Sequence, residues 1–163
     1  MDENYVIAKI EEMAKKLPKF PDGRIDYSSS NYAPVVNVFL RLNGKLLILM
    51  RSNKVGNYKG KWNIISGYLD SIGPLKEKAM EEVKEELGLT IDESMIKPGK
   101  PYEIFDKKIK KTWLVCPFLV ELKSEPEIKL DFENTEYKWI DPEELKGPDT
   151  VIGLNTGYKN CIG

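Results

Sequence analysis

The sequence predicts an α/β fold in which helices cover a mixed β-sheet. Apolar runs of strand length alternate with amphipathic helical patterns, and the dipeptide Asn43-Gly44 separates two of these runs. Asn-Gly between apolar runs is typical of a tight hairpin, which makes its two strands antiparallel. Helices between other strands favour parallel neighbours, so we expect both kinds of pairing in one sheet.

The N-terminal segment is predicted to be a helix followed by an irregular connector. Residues 3–17 carry apolar residues at helical spacing, and Pro18 ends the pattern. Residues 18–34 then contain three prolines, the dipeptide Asp22-Gly23 and three consecutive serines from Ser28, a composition that favours turns. We therefore separate residues 1–34 from residues 35–163 within one structural domain. We expect the helix to pack on the domain as a cap; the alternative is an arm that binds a partner.

The remaining elements follow from apolar runs and helix-end signals. Strands are predicted at residues 35–42, 45–51, 62–65, 102–105, 112–122 and 136–140. An acidic helix begins near Pro74 and ends at Gly88, and Asp141-Pro142 begins a short helix. The basic run at residues 107–111 is predicted to be an exposed hairpin tip rather than a phosphate site.

The acidic helix is the most informative element for function. Glu82, Glu85 and Glu86 fall within one arc of roughly 100°, because successive helical residues turn by about 100°. Carboxylates this close repel one another, so a divalent cation bound between them would offset the free-energy cost of that repulsion. Carboxylate oxygens suit Mg²⁺ or Mn²⁺. The alternative is a solvated acidic face, which is common in a chain with 31% charged residues.

The segment from Gly67 to Leu89 resembles the signature of the Nudix hydrolase family, G-x5-E-x7-R-E-U-x-E-E-x-G-U with U aliphatic. The matching positions are Gly67, Glu82, Val83, Glu85, Glu86, Gly88 and Leu89. Residues 58–62 and 133–140 resemble flanking parts of the family, so the resemblance covers about residues 33 to 146. It implies a Nudix-like α/β/α sandwich and metal-dependent hydrolysis of phosphoanhydride bonds in nucleoside diphosphate derivatives.

The resemblance also implies roles for individual residues. The metal ligands would be Glu82, Glu85, Glu86 and the backbone carbonyl of Ser66. Glu82, Glu85 and the later Glu133 would be catalytic. Gly67 would let the backbone approach the cation and the substrate phosphates closely.

Two further substrate contacts are inferred from residue type. Arginine is scarce in this chain, and Arg51 at the end of its strand is the best candidate for a bidentate phosphate contact. Tyr58 could stack on a nucleobase, whereas Trp62 is interpreted as structural.

Two positions depart from the family signature. Glu81 stands at the arginine position, and Gly73 stands at the first glutamate position. In the family, the arginine and the first glutamate help to orient the glutamate that corresponds to Glu82, and this chain has neither of them. A catalytically impaired, nucleotide-binding module is therefore the alternative to a hydrolase.

A third hypothesis is an isomerase of the isopentenyl diphosphate type. It is disfavoured because such an isomerase relies on a cysteine ahead of the signature, and no cysteine precedes Gly67. The residues do not distinguish among nucleotide substrates.

Composition excludes several other classes. The chain has 163 residues, a net charge of −1 and no histidine, which excludes Ser-His-Asp and Cys-His catalysis and histidine-ligated zinc. Near-zero net charge argues against bulk binding to nucleic acid or to anionic membranes. Two cysteines make no disulfide framework, and reduced thiols are expected in a cytoplasmic protein. The expected partner is a small-molecule nucleotide, and homodimer formation stays open.

Overall fold

The computed structural model describes residues 1–163, and its central element is one mixed sheet of eight strands. The strands are β1 Tyr32–Leu42, β2 Lys45–Arg51, β3 Trp62–Asn63, β4 Ile65–Tyr68, β5 Ile96–Pro98, β6 Tyr102–Asp106, β7 Lys111–Glu121 and β8 Asn134–Ile140. The helices are α1 Glu3–Lys16, α2 Leu75–Leu87 and α3 Leu154–Ile162, with short 3₁₀ segments at Glu93–Met95 and Pro142–Lys146. None of the three α-helices has the length and hydrophobicity needed to cross a lipid bilayer.

Strands β1 and β7 form the middle of the sheet and run parallel over ten residue pairs, from Tyr32 with Thr112 to Arg41 with Glu121. Every other pairing is antiparallel. Along its other edge, strand β1 pairs first with β4, over residues 35–38, and then with β2, over residues 41–42. The mixed pairing predicted from the sequence is therefore confirmed.

Helices pack on both faces of the sheet, which gives an α/β/α sandwich. On one face, α1 buries Val6 and Ile10, and α2 buries Leu75, Ala79, Val83 and Leu87, all within a core cluster of 25 residues. On the other face, Leu145 and two α3 residues, Leu154 and Tyr158, pack with Phe39 and Leu119 in a second cluster of nine. The N-terminal helix thus packs on the sheet, as the cap interpretation expected.

Local signals explain where the elements near the site begin and end. The β1–β2 hairpin turns at Asn43 and Gly44, which both have positive φ (50° and 80°), as a two-residue turn requires. Helix α2 follows Pro74, and it ends where Gly88 adopts a left-handed conformation and donates its N–H to the Lys84 carbonyl.

The connector after α1 is held against the loop between β4 and α2. The Ile25 N–H donates to the Asp70 carbonyl at 2.8 Å, and the Tyr27 hydroxyl donates to the Leu69 carbonyl at 2.7 Å. Ile25 and Tyr27 are both buried. This contact brings the N-terminal segment to the edge of the candidate site described next.

Candidate active site

Helix α2 places its acidic face against strand β4, the strand that carries Ser66 and Gly67. Glu82 and Glu86 are one helical turn apart and are 7% and 2% exposed, whereas Glu85 and Glu81 face solvent. The apolar residues of the same helix occupy the neighbouring face and enter the core. The amphipathic pattern of the sequence therefore brings two of the three matched carboxylates to the sheet.

Glu86 is held by two hydrogen bonds from distant parts of the chain. The Ser66 backbone N–H donates to Oε2 at 3.0 Å, and the Asn134 side-chain amide donates to Oε1 at 3.0 Å. Burial, followed by the nearby charge of Glu133, raises the Glu86 pKa well above its usual range, although both hydrogen bonds oppose the shift. Glu86 is thus a preoriented carboxylate whose negative charge is poorly compensated.

Glu82 lies directly under Gly67. A β-carbon at position 67 would overlap the Glu82 carboxylate, so only glycine leaves room for this contact. Burial is the main cause that raises the Glu82 pKa to about 8, and the charges of Glu85 and Glu133 add to it. Gly67 was predicted to let the backbone approach a cation and phosphates, and it also makes space for the Glu82 carboxylate.

Lys78 supplies positive charge to this cluster. Its ammonium lies 3.4 Å from Oε1 of Glu82, one turn further along α2, and 3.4 Å from Oδ1 of Asp70. The Lys78 side chain is 15% exposed, and its pKa is raised because these carboxylates outweigh its burial. Arg24 of the connector approaches the other Asp70 oxygen at 3.5 Å.

These acidic and basic groups line a cleft of about 440 Å³. Its lining includes Asp70, Lys78, Glu82, Glu85 and Glu133, together with the backbone at Ser66 and Gly67. Gly73 has open space around it, and Glu81 is exposed 4.0 Å from Lys78. Of the two positions that depart from the signature, Glu81 therefore lines the cleft and Gly73 does not.

Glu82, Glu86 and Glu85 offer the carboxylate oxygens that a hard divalent cation prefers as ligands. The first two are desolvated, the third is exposed, and all three lie on adjacent turns of α2. In this arrangement, however, no group of three or more acidic, cysteine or histidine side chains converges closely enough to hold an ion. Glu86 is engaged by Ser66 and Asn134, and Lys78 faces Glu82. The convergence predicted for all three glutamates is therefore not seen among the side chains as they stand.

A second cavity of about 300 Å³ adjoins the acidic cleft. Arg51, Tyr58, Ser66, Gly67 and Glu133 are among its lining residues, together with Asn37, Asn63, Trp113, Phe132 and Ile152. The structure therefore brings every residue predicted to contact substrate to this cavity, and Glu133 lines both the cavity and the cleft. We call this second cavity the aromatic pocket.

Hydrogen bonds fix two of the predicted substrate contacts in the wall of the aromatic pocket. The Arg51 Nε–H donates to the Asn57 carbonyl at 2.9 Å, which leaves the terminal guanidinium nitrogens available. The Tyr58 hydroxyl donates to Asp106 at 2.6 Å and accepts from the Trp113 indole N–H at 3.0 Å. Tyr58 is therefore a rigid wall residue with its hydroxyl already engaged.

Glu133 lies in the loop before β8, half-buried between the two cavities. Its backbone carbonyl accepts the Ser52 N–H at 2.8 Å, and its own N–H donates to Asp131 at 3.0 Å. Burial is the main cause that raises the pKa of the Glu133 carboxyl, with Asp131 second, and Arg51 opposes the shift. Trp62 packs at the second core cluster, in keeping with its structural interpretation.

Three contributors were not identified from the sequence. Asn134 follows Glu133 directly, but nothing local shows that its amide contacts a helix 48 positions away. Lys78 stands four residues before Glu82, and this helical spacing is a signal that could have found it. Arg24 lies in the connector, outside the region of resemblance.

Comparisons with known proteins agree with this geometry. A family model described as the NUDIX domain matches residues 31–157, which is most of the chain. No curated protein sequence shows a significant match.

Three solved structures illustrate the similarity of fold. The MutT protein from Methanosarcina mazei Go1 has a TM-score of 0.63 at 25% identity and covers 78% of this chain and 91% of that chain. A MutT NUDIX hydrolase from Burkholderia pseudomallei has a TM-score of 0.65 at 17% identity, with coverages of 79% and 97%. A bifunctional NMN adenylyltransferase/ADP ribose pyrophosphatase from Francisella tularensis, complexed with AMP and a Mn ion, has a TM-score of 0.58 at 17% identity, with coverages of 98% and 43%.

Proposed function

The chain belongs to the Nudix family, and from this premise we propose that it hydrolyses a phosphoanhydride bond in a nucleoside diphosphate derivative with the help of Mg²⁺ or Mn²⁺. The observation that carries the proposal is the junction between the acidic cleft and the aromatic pocket. Both are lined by Ser66, Gly67, Tyr68 and Glu133. A nucleoside held in the aromatic pocket would therefore place its phosphates beside the α2 carboxylates.

The residues that would hold the metal are Glu82, Glu85, Glu86 and the Ser66 carbonyl. A divalent ion held there would supply positive charge against the phosphate oxygens and would lower the pKa of a nearby water molecule. The burial of Glu82 and Glu86, which raises both pKa values, supports this assignment because a cation would relieve that cost. The AMP and Mn ion bound by the Francisella protein support the same ligand classes.

Each remaining candidate takes a role that its position allows. Glu133 is the proposed proton acceptor, because burial raises the pKa of this half-buried carboxyl and so makes it a stronger base. Arg51 would donate from its free terminal nitrogens to substrate phosphate oxygens, and Tyr58 would form the wall against which the base packs.

Lys78 is the proposed positioning residue for Glu82. It bridges Glu82 and Asp70 from within the same helix, at distances of 3.4 Å to each. A lysine at this place provides positive support for Glu82 although Glu81 stands at the arginine position of the signature. The departures from the signature are therefore compatible with a working site.

The test is a hydrolysis assay on a panel of nucleoside triphosphates, dinucleoside polyphosphates and ADP-linked sugars, with Mg²⁺, Mn²⁺ or a chelator. Metal-dependent release of phosphate-containing product, lost in Glu82→Gln, is the expected result. The Lys78 ammonium beside Glu82 and the lack of converging acids favour one competing function, a nucleotide-binding module. Tight binding of a panel compound without cleavage under any metal would establish that function instead.

A further inference from the structure

A third cavity, of about 590 Å³, lies beside the aromatic pocket and shares Gly56, Asn57 and Tyr68 with it. One part of its lining is the connector, at Phe20 and from Asp26 to Asn31, and another is the end of the β6–β7 turn, Ile109 and Lys110, with Lys111 at the start of β7. Residues 20–30 precede the segment matched by the NUDIX model. The cavity therefore depends on a part of the chain that the family match does not cover.

Lys111 gives this cavity its chemical character. The exposed hairpin tip predicted at residues 107–111 is correct for 107–110 but wrong for Lys111, which is only 8% exposed. The reason is that Lys111 begins strand β7, where its ammonium lies 4.7 Å from the Trp113 ring centroid and 5.5 Å from that of Tyr68.

The Lys111 ammonium has no anionic partner. No carboxylate lies within ion-pair distance, and burial alone lowers its pKa. Its cross-strand neighbour Asp106 is occupied, because it accepts from the Tyr58 hydroxyl at 2.6 Å and from the Lys108 N–H at 2.9 Å. Contact with aromatic faces offsets part of the cost of burying a cation, but a buried ammonium without a counter-ion remains unfavourable.

The surroundings of Lys111 suit an anion. Lys110 and Ser29 line the same cavity, which adds a second cation and a hydroxyl donor, whereas the Ser30 hydroxyl already donates to the Tyr32 carbonyl at 2.6 Å. Asp26 is the acidic residue of the lining, and its carboxylate accepts the Ser28 N–H at 2.9 Å within the connector turn. The cavity lining therefore contains two cations and one carboxylate, and that carboxylate already accepts a hydrogen bond.

We propose that this cavity is a subsite for a phosphate monoester, bound by Lys111 and assisted by Lys110 and the Ser29 hydroxyl. Tyr68 separates it from the aromatic pocket and directly follows Gly67 at the cleft. A nucleotide whose diphosphate lies at Gly67 can therefore place a further phosphate, carried elsewhere on the nucleotide, beyond Tyr68. As a substrate subsite the assignment rests on the proposed function, and the same chemistry would also bind a free phosphate ion.

Binding by the full-length protein in a chelator tests the subsite without requiring turnover. Isothermal titration calorimetry would compare adenosine 5′-monophosphate with an adenosine bisphosphate that carries a second phosphate on the ribose, and would titrate inorganic phosphate separately at constant ionic strength. We expect the wild type to prefer the bisphosphate and Lys111→Met to reduce that preference roughly tenfold, because it removes a charge-assisted hydrogen bond. Lys111→Arg keeps the charge and should retain most of the preference.

Lys108→Met is the matched control, because Lys108 belongs to the same basic run but is exposed and outside the cavity. A Lys111-dependent preference for the bisphosphate alone assigns the subsite to a substrate phosphate. Lys111-dependent binding of inorganic phosphate as well assigns it to the free ion too. If neither ligand depends on Lys111, or if Lys108→Met has the same effect as Lys111→Met, the proposal is wrong. Because no hydrolysis is measured, these outcomes are independent of whether the chain is a hydrolase.

Discussion

Helices α1 and α2 are both short, amphipathic and rich in glutamate and lysine, yet their carboxylates lie in opposite environments. In α1, the Glu12 side chain is 40% exposed and paired with Lys16 at 2.8 Å and Lys9 at 3.5 Å, and the hydrogen bond from Lys16 is the main cause that lowers its pKa. In α2, Glu82 and Glu86 are buried against β4 and burial raises their pKa values. A charged helical face becomes a candidate site only where the fold removes its carboxylates from water.

The largest expected effect is on catalysis. Glu82→Gln should lower kcat by a factor on the order of 100 to 1,000, because loss of one group that stabilises transition-state charge typically has this size of effect. Steady-state kinetics on the best panel substrate measures it. Glu12→Gln in α1 is the control and should leave kcat unchanged. Equal activity of wild type and Glu82→Gln would refute the assignment of Glu82.

The second prediction concerns stability against pH without divalent metal. The Glu82 pKa is about 8 in the folded protein, against an ordinary value of 4.5, so the folded state retains a proton that the unfolded state releases between these values. The free energy of unfolding should therefore be highest below the ordinary pKa and fall as pH rises to about 8, by on the order of a few kcal/mol.

Urea denaturation at pH 5 and pH 8 in a chelator measures this decline. Glu82→Gln should make the decline smaller, whereas Glu12→Gln should preserve it, since the Glu12 pKa is shifted in the opposite direction. Adding Mg²⁺ at pH 8 should recover stability, because a ligand that binds only the folded state stabilises it. An unchanged decline in Glu82→Gln would show that burial of this carboxyl is not its cause.

The third prediction tests whether the contact between Gly67 and Glu82 defines the site. Gly67→Ala should reduce kcat/KM by roughly tenfold to a hundredfold, because the new methyl group must displace the Glu82 carboxylate and misplaced catalytic groups lose rate steeply. Gly73→Ala is a matched control, since a β-carbon there meets no atom within 4 Å. Similar losses in both variants would mean that general loop strain, rather than Glu82 displacement, is responsible.

The smallest expected effect concerns Lys78. Lys78→Met should lower kcat about tenfold with little change in KM, because it removes the cation that orients Glu82 rather than a substrate contact. Lys78→Arg should recover most of the activity. Lys76→Met, on the same helix and paired with exposed Glu93, should behave as wild type. A change in KM alone would make Lys78 a substrate ligand instead.

Sequence reasoning succeeded where the signal was local and regular. The β2 strand, the Asn-Gly hairpin and the glycine end of α2 lie where the sequence placed them, and β1 begins only three residues before the predicted position. Helix α3 was not predicted. It contains Gly157, a weak helix former, but a β-carbon there would press against Tyr102 and the Phe39 ring. The requirement for glycine arises from close packing, which no local pattern reports.

The sequence by itself determined the glycine at position 67, the spacing of the three α2 glutamates and the fold class, because helical and strand periodicities are properties of neighbouring residues. Only the tertiary structure decided which carboxylates are buried, which donors hold them and which cation faces them. Ser66 and Asn134 contact Glu86 across 20 and 48 positions, and Lys111 turns inward against rings from two strands. Burial and charge compensation depend on segments that meet only after folding, so the chemistry of the site follows from packing as well as from pattern.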